Sequence, residues 1–411
     1  MTIIDKLFAK KKRILTDENI PTFKRSSYKK VTEALEENTY PILFGLRRVG
    51  KTTILKQLLK KHKDTSIYIT FRDSYISSMS KIEFLDLIED LYEKGIRYIF
   101  LDEAQINNEW SEIVVEIFDS FQKIKMVVTG SSSLSLEMRE TGLDRTRKIY
   151  IHTLSFGEYL ELTKKKKDKE TFETFLGSGG FPKYALKNLE DYDVQRSEIL
   201  DEILTNDIPR EYNNVDSGLL TRLLYILASL TNGEVNVKTV ANKVAPNFIE
   251  RDVLKYIDYL EKANIVKVVK RVNVDGSFPK RRKFKAYINP HIHLWIFDTA
   301  FSNLATKAKG HIVEAYWLFW ALTINDSSKQ FVYIKDKDGN EIDFASFNKT
   351  SSTNSGPVFK TLHEFKYSIR DQDLSLMNKV EAINKLIWTI NGKDQDGISG
   401  KNILDTNKES I

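Results

Sequence analysis

Cysteine is absent from this chain of 411 residues. Its absence excludes a disulfide framework, cysteine-ligated zinc and thiol catalysis, and it fits a reducing compartment. No apolar run approaches the roughly 18 residues that span a bilayer. The richest, residues 316–322, reads as a core helix. The opening Met1-Thr2-Ile3-Ile4-Asp5 lacks the apolar stretch of a secretory signal, so a cytoplasmic protein with no membrane partner is expected. There is no internal repeat and no G-x-S-x-G nucleophile elbow. What remains is 41% hydrophobic and 29% charged, the balance of a soluble globular protein. The length suits about two to four domains. Net charge is +6. Its basic residues gather in Lys10-Lys11-Lys12-Arg13, Lys164-Lys165-Lys166-Lys167 and Lys280-Arg281-Arg282-Lys283. The first two runs read as solvated faces.

The most informative stretch is Gly45-Leu46-Arg47-Arg48-Val49-Gly50-Lys51-Thr52, followed by Thr53. It matches G-x-x-x-x-G-K-T. The apolar run 40–44 before it suits a buried strand, and residues 53–59 after it are apolar at helical spacing. Strand, glycine loop and helix are what a phosphate cradle requires. Glycines let backbone N–H groups converge on phosphate oxygens, and the helix N-terminus adds partial positive charge. Lys51 would reach the β- and γ-phosphates, and Thr52 would meet Mg2+. A second apolar run, 96–101, ends in Asp102-Glu103. Carboxylates closing a buried strand make sense at the carboxyl end of an open α/β sheet, where ligands bind. Asp102 would hold Mg2+, directly or through water, and Glu103 would polarise the attacking water.

Short apolar runs alternate with amphipathic helices from about 38 to 155, which implies a mainly parallel sheet covered on both faces. Residues 1–37 read as a basic lead-in and one helix. The strand over 125–130 ends near Thr129 and Ser131, which are placed to sense a γ-phosphate or, for the serine run, to cap a helix. Residues 156–215 are expected to be a helical connector. Three helices and a hairpin over 216–300 fit a winged helix, with the third basic run at its wing. A plain interdomain adaptor fits as well. His291-x-His293 places two histidines on one face of a strand with no evident third ligand, and reads as structural. Further on, helix 312–322 carries Glu314, strands 341–344 and 361–367 carry Asp343, Glu364 and Lys366, and a helix is expected over 376–390. Glu364 and Lys366 share a strand face. With Asp343 they form either a site for a divalent metal and a phosphate or an ordinary ladder of paired charges.

Taken in order, these segments resemble the prokaryotic AAA-superfamily ATPases whose C-terminal half is a domain of unknown function with a PD-(D/E)XK nuclease-like core. The resemblance runs from about residue 20 to 392. Beside the two motifs above it rests on Thr129-Gly130-Ser131-Ser132-Ser133, Leu154-Ser155-Phe156-Gly157-Glu158-Tyr159, Gly179-Gly180-Phe181-Pro182, Gly310-His311-Ile312-Val313-Glu314, Glu341-Ile342-Asp343-Phe344 and Glu364-Phe365-Lys366. It implies an α/β protein in four parts: an ATPase domain over 1–155, the connector over 156–215, the winged helix over 216–300 and the nuclease-like domain over 301–411. It further implies ATP and Mg2+ as ligands, DNA as a partner and ATP-promoted homo-oligomers. In such oligomers Arg145, or else Arg147, would serve a neighbour's γ-phosphate. The family's Gly-Arg pair is Asp144-Arg145 here, Thr153 stands where proline is usual, and Asn289 stands where aspartate is usual. Nuclease chemistry is not implied by the fold, only a constellation of Glu314, Asp343, Glu364 and Lys366. The expectation is thus an ATP hydrolase coupled to a DNA-directed C-terminal half. The rival is a nucleotide-dependent scaffold switch for a protein partner.

Overall fold

The computed structural model describes residues 1–130, 145–186, 199–212, 214–230, 234–280, 283–296, 303–324, 329–348, 352–353, 356–357, 359–366, 377, 379–380, 382, 384–389 and 399–405. It divides into two compact units, one of residues 1–154 and 181–183, the other of 155–180 and 184–411.

The first unit opens with two helices where one was expected: α1 (Ile3–Leu15) and α2 (Ser26–Glu36). Thr2 caps α1 reciprocally with Asp5, so the basic lead-in is itself a capped helix. There follow β1 (Tyr40–Phe44), α3 (Lys51–Lys61), β2 (Ser66–Thr70), α4 (Lys81–Glu93), β3 (Tyr98–Asp102), α5 (Trp110–Ser120), β4 (Lys125–Thr129) and β5 (Thr146–Tyr150). The strands form one sheet in the order β2-β3-β4-β1-β5, with every pairing parallel. Alternation divides its side chains between two faces. Ile42, Ile67, Ile69, Ile99, Leu101, Met126 and Val128 join Leu7 of α1, Leu87 and Leu91 of α4, and Ile113 and Ile117 of α5 in one core cluster. Tyr68, Phe100 and Val127 point the other way and are buried too. Both faces are covered, as the sequence pattern requires of parallel strands.

Topology places the chemistry. β4 lies between β1, which leads into the glycine loop, and β3, which ends in Asp102. The end of β4 therefore separates loop from carboxylates, and Thr129 occupies it.

In the second unit, α6 (Phe156–Thr163) is capped reciprocally by Ser155 and Glu158. Three amphipathic helices follow, α7 (Ser217–Ser229), α8 (Val237–Val244) and α9 (Glu250–Lys262). The hairpin of β6 (Val266–Val272) and β7 (Phe284–Ile288) comes next, then α10 (Pro290–Ile296), α11 (Thr306–Ile324), β8 (Lys329–Lys335), β9 (Glu341–Asn348), β10 (Thr361–Lys366), β11 (Asn384–Thr389) and β12 (Ser399–Asn402). The hairpin is not a free wing. β6 pairs parallel with β8 through Lys270–Val332 and Val272–Ile334, giving a seven-stranded sheet, β12-β11-β10-β9-β8-β6-β7. The segments expected to be winged helix and nuclease-like core share this sheet.

Two local expectations are corrected. The segment 384–389, expected to be helical, is a strand paired with both β10 and β12, with Ile387 and Trp388 buried. Its β-branched and aromatic side chains fit a sheet interior, and tertiary pairing overrides the helical spacing. His291 and His293 lie on helix α10, not on a strand. Pro290 starts that helix with a pre-set φ, and Asn289 accepts the His291 N–H through its side chain at 3.2 Å. All seven residues of α10 are buried, so no periodicity betrayed the helix. No helix among the described residues is long and apolar enough to cross a membrane.

Candidate nucleotide site

The glycine loop joins β1 to α3 with a backbone that demands its glycines. Gly45 has φ +146°, and a Cβ there would lie 2.2 Å from the Ile151 carbonyl oxygen. Gly50, with φ +104°, precedes the first turn of α3. Arg48 takes a left-handed φ of 63°. Arg25 braces the loop from outside: its guanidinium donates to the Val49 carbonyl at 2.7 Å and to the His152 and Thr153 carbonyls at 3.1 and 3.2 Å. Lys51, the first residue of α3, is buried and donates to the Gly45 and Leu46 carbonyls at 2.8 and 2.9 Å.

Asp102 gathers three hydroxyl donors. Thr52 approaches its two oxygens at 3.1 and 3.0 Å, Tyr68 of β2 at 2.6 Å and Thr129 of β4 at 2.5 Å. Burial, aided by the Asp102 charge, pushes the Tyr68 hydroxyl well up, so it donates as a neutral phenol. Thr129 also accepts the Glu103 N–H at 3.2 Å and so ties the two acidic residues together.

Glu103 leaves the strand with a left-handed φ of 56°, a conformation uncommon outside glycine that redirects its side chain. One carboxylate oxygen accepts from Arg72 at 2.9 Å and the other from Gln105 at 2.7 Å. Burial raises the pKa of this carboxyl. The Lys51 charge, the Arg72 and Gln105 hydrogen bonds and the Arg72 charge outweigh it and hold the group below the usual carboxylate range. A half-buried, ionised carboxylate thus stands near a buried ammonium at the carboxyl end of the sheet.

The loop residues 45–52, Thr53, Asp102, Glu103 and Thr129 therefore lie on one end of one sheet. Ser131 lies outside the described residues. Arg145 is not brought to this end within the chain. Its carbonyl accepts from Tyr40 at the start of β1, and its guanidinium meets Asp119 at 2.6 Å on the surface. Arg147 pairs similarly with Glu37 at 2.9 Å. Tyr68, Arg72 and Arg25 were not anticipated. Their only signal was position: Tyr68 and Arg72 sit on or just past the strand that flanks β3.

The C-terminal candidates are also near one another. Tyr287 donates to Glu314 at 3.1 Å, Asp343 accepts the Phe365 N–H at 2.8 Å, and Glu364 accepts the Asp343 N–H at 3.4 Å. The side chain of Lys366 lies outside the described residues. Among the described residues, no group of three or more His, Asp or Glu side chains is arranged to hold a metal ion.

Comparison with known proteins bears first on this end of the chain. Residues 37–160 match the family described as AAA domain, and residues 169–289 match a domain of unknown function, DUF8612. An uncharacterized protein of Methanocaldococcus jannaschii is 26% identical over 97% of this chain and 92% of its own length. An uncharacterized protein of Haemophilus influenzae is 25% identical over 66% of this chain and 70% of its own length. Among solved structures, AMPPCP-bound DnaA from Aquifex aeolicus aligns at 16% identity and TM-score 0.31, over 61% of this chain and 91% of that one. The Thermotoga maritima RuvB branch migration motor aligns at 16% identity and TM-score 0.33, over 62% and 93%. At such scores neither structure carries an argument. The glycine loop, the Asp102-Glu103 strand end and the parallel sheet that joins them all fall within residues 37–160, the segment that matches the AAA domain family, and they agree with that match.

Proposed function

We propose that the chain binds ATP with Mg2+ and hydrolyses it, and that its second unit directs this cycle to DNA. The observation that carries the first part is the convergence of Lys51, Thr52, Asp102, Glu103 and Thr129 at one end of the sheet. A Thr52 hydroxyl in contact with the Asp102 carboxylate is a pair of hard oxygen donors, which suits Mg2+. Bound there with nucleotide, the ion would offset charge on the phosphates. Lys51 can exchange its two loop carbonyls for phosphate oxygens without leaving the loop. Glu103 keeps lone pairs beyond those used by Arg72 and Gln105. Its ionised carboxylate can therefore orient a water and accept its proton. Thr129, bonded to both acidic residues, is suited to relay the presence of the γ-phosphate.

The DNA-directed part is supported by the net positive charge and by Lys280 and Lys283, exposed on the loop before β7. One observation favours the rival, a protein-binding switch. Glu234 draws in Arg271 and Lys283, both at 3.2 Å, so part of the cationic charge around the hairpin is already neutralised. ATPase activity with and without DNA, at two salt concentrations, separates the readings. Stimulation that weakens steeply with salt supports DNA. Stimulation absent at both supports the protein partner.

A further inference from the structure

The second unit buries a lysine among its carboxylates. Lys285 lies on β7 two residues before Tyr287, so the two side chains leave the same face of the strand. Lys285 is 2% exposed, and its ammonium is ion-paired with Glu341 of β9. Lys335 stands 3.8 Å from the other oxygen of Glu341. Asp343 shares a face of β9 with Glu341, and Glu314 reaches Tyr287 from α11. Burial works to strip Lys285 of its proton. The charges of Glu314, Glu341 and Asp343 outweigh it and raise the lysine above its ordinary range.

A divalent cation needs several oxygens converging on one point with lone pairs to spare. Here the Lys285 ammonium already lies against Glu341, Glu314 accepts from Tyr287, Asp343 and Glu364 accept backbone N–H groups, and among the described residues no three His, Asp or Glu side chains converge to hold an ion. The donor set does not fit a metal. We propose that Lys285 is the resident cation of this cluster, and that the second unit holds its carboxylates together without a divalent ion. An ammonium balances charge but is no Lewis acid, and it cannot generate a hydroxide as a metal does. The cluster therefore anchors the hairpin to β9 and α11 and is not a hydrolytic centre. Burial already pushes the Glu314 and Glu341 carboxyls up against the pull of Lys285, so a neutral side chain at 285 would leave them to take up a proton or, when it is supplied, a divalent cation.

The test uses the full chain without nucleotide, with Mn2+ as the probe. Bound Mn2+ is counted from the resonance of the free ion, and melting is followed in parallel. In the natural sequence, Asp343→Asn should leave the Mn2+ count unchanged, since any ion at the nucleotide loop is common to both proteins. Lys285→Met should lower the melting temperature and bind one further Mn2+. Saturating Mn2+ should then restore roughly 5 °C, and adding Asp343→Asn should abolish the gain. Lys285→Gln, which keeps a donor toward Glu341, gives a milder form of the same result. A Mn2+ ion bound by the natural sequence and lost in Asp343→Asn would overturn the proposal, whether or not the lysine variants fold. Folded Lys285 variants that gain no Mn2+ would overturn it equally.

Discussion

Glu103→Gln is the substitution that best separates binding from chemistry. The Glu103 carboxylate accepts from Arg72 through one oxygen and from Gln105 through the other. An amide at 103 keeps a single acceptor oxygen, so one of these donors would face an N–H group. Gln105 can resolve the clash by rotating its own amide. Its Oε1 is buried without a hydrogen-bond partner and can accept from the new N–H group. The geometry then survives with two hydrogen bonds. What is lost is the attraction to the Lys51 ammonium and the charge assistance from Arg72, whose side chain is 60% exposed. Solvent screening keeps the Arg72 part of that loss to about 1 kcal/mol at most. Stability and nucleotide affinity should therefore change little. Hydrolysis should fall by about 100-fold or more, because an amide cannot accept a proton from water. A fluorescent nucleotide titration gives the affinity, and phosphate release in a single turnover gives the chemistry. Hydrolysis within about tenfold of the natural sequence, at unchanged affinity, would refute the role of Glu103 and move attention to Gln105.

Lys51→Ala removes a buried ammonium and its two bonds to the loop carbonyls, so nucleotide affinity should drop by at least about tenfold to 100-fold, measured by the same titration. Gly45→Ala presses a Cβ onto the Ile151 carbonyl oxygen at a positive φ, and denaturant unfolding of the first unit should show a loss of about 2 kcal/mol or more. Burial depresses His291 and His293 to about 4 from an ordinary 6.5, so the unfolded chain binds more protons between those values. Stability of the second unit is then full above about pH 6.5 and lost as pH falls toward 4, by about 1.4 kcal/mol per unit for each histidine. Burial depresses His311 of the same unit as well, so urea midpoints across that window check a slope that His291→Gln should cut by roughly a third. Arg145→Ala breaks a surface pair with Asp119 far from the loop, so dilute protein should keep both affinity and turnover. A loss that grows with protein concentration would assign the arginine to a neighbour's site.

The candidate nucleotide site was readable because its chemistry would be local. Gly45, Gly50, Lys51 and Thr52 act within a few residues of one another, and Asp102-Glu103 ends a run too apolar to be anything but a buried strand. Thr129 could be inferred one step further, from a strand expected beside β3. Tyr68, Arg72 and Arg25 could not, because each acts on residues 24 or more positions away along the chain; the parallel register of β2 and β3 brings the first two to their partners, and the packing of the segment before α2 brings the third. The second unit was harder for the same reason. The pairing of β6 with β8 joins residues 270 and 332, and no local pattern encodes it. Helix α10 and strand β11 were misjudged where all seven residues, or the last three, are buried. Periodicity is informative only when one face meets water.

The strand order of the first unit also bears on synthesis. β1 is the first strand to be made, yet its neighbours are β4 and β5, whose residues 125–129 and 146–150 follow some 80 to 110 positions later. While the ribosome is still adding those residues, the glycine loop hangs from a strand with neither edge satisfied. At about 5–20 residues per second, that interval lasts several seconds or more. ATP cannot template the cradle during this time, because the wall carrying Asp102 has no sheet to join it to. The apolar run 40–44 therefore passes through synthesis as an open edge, and a chaperone that shields it has its window there.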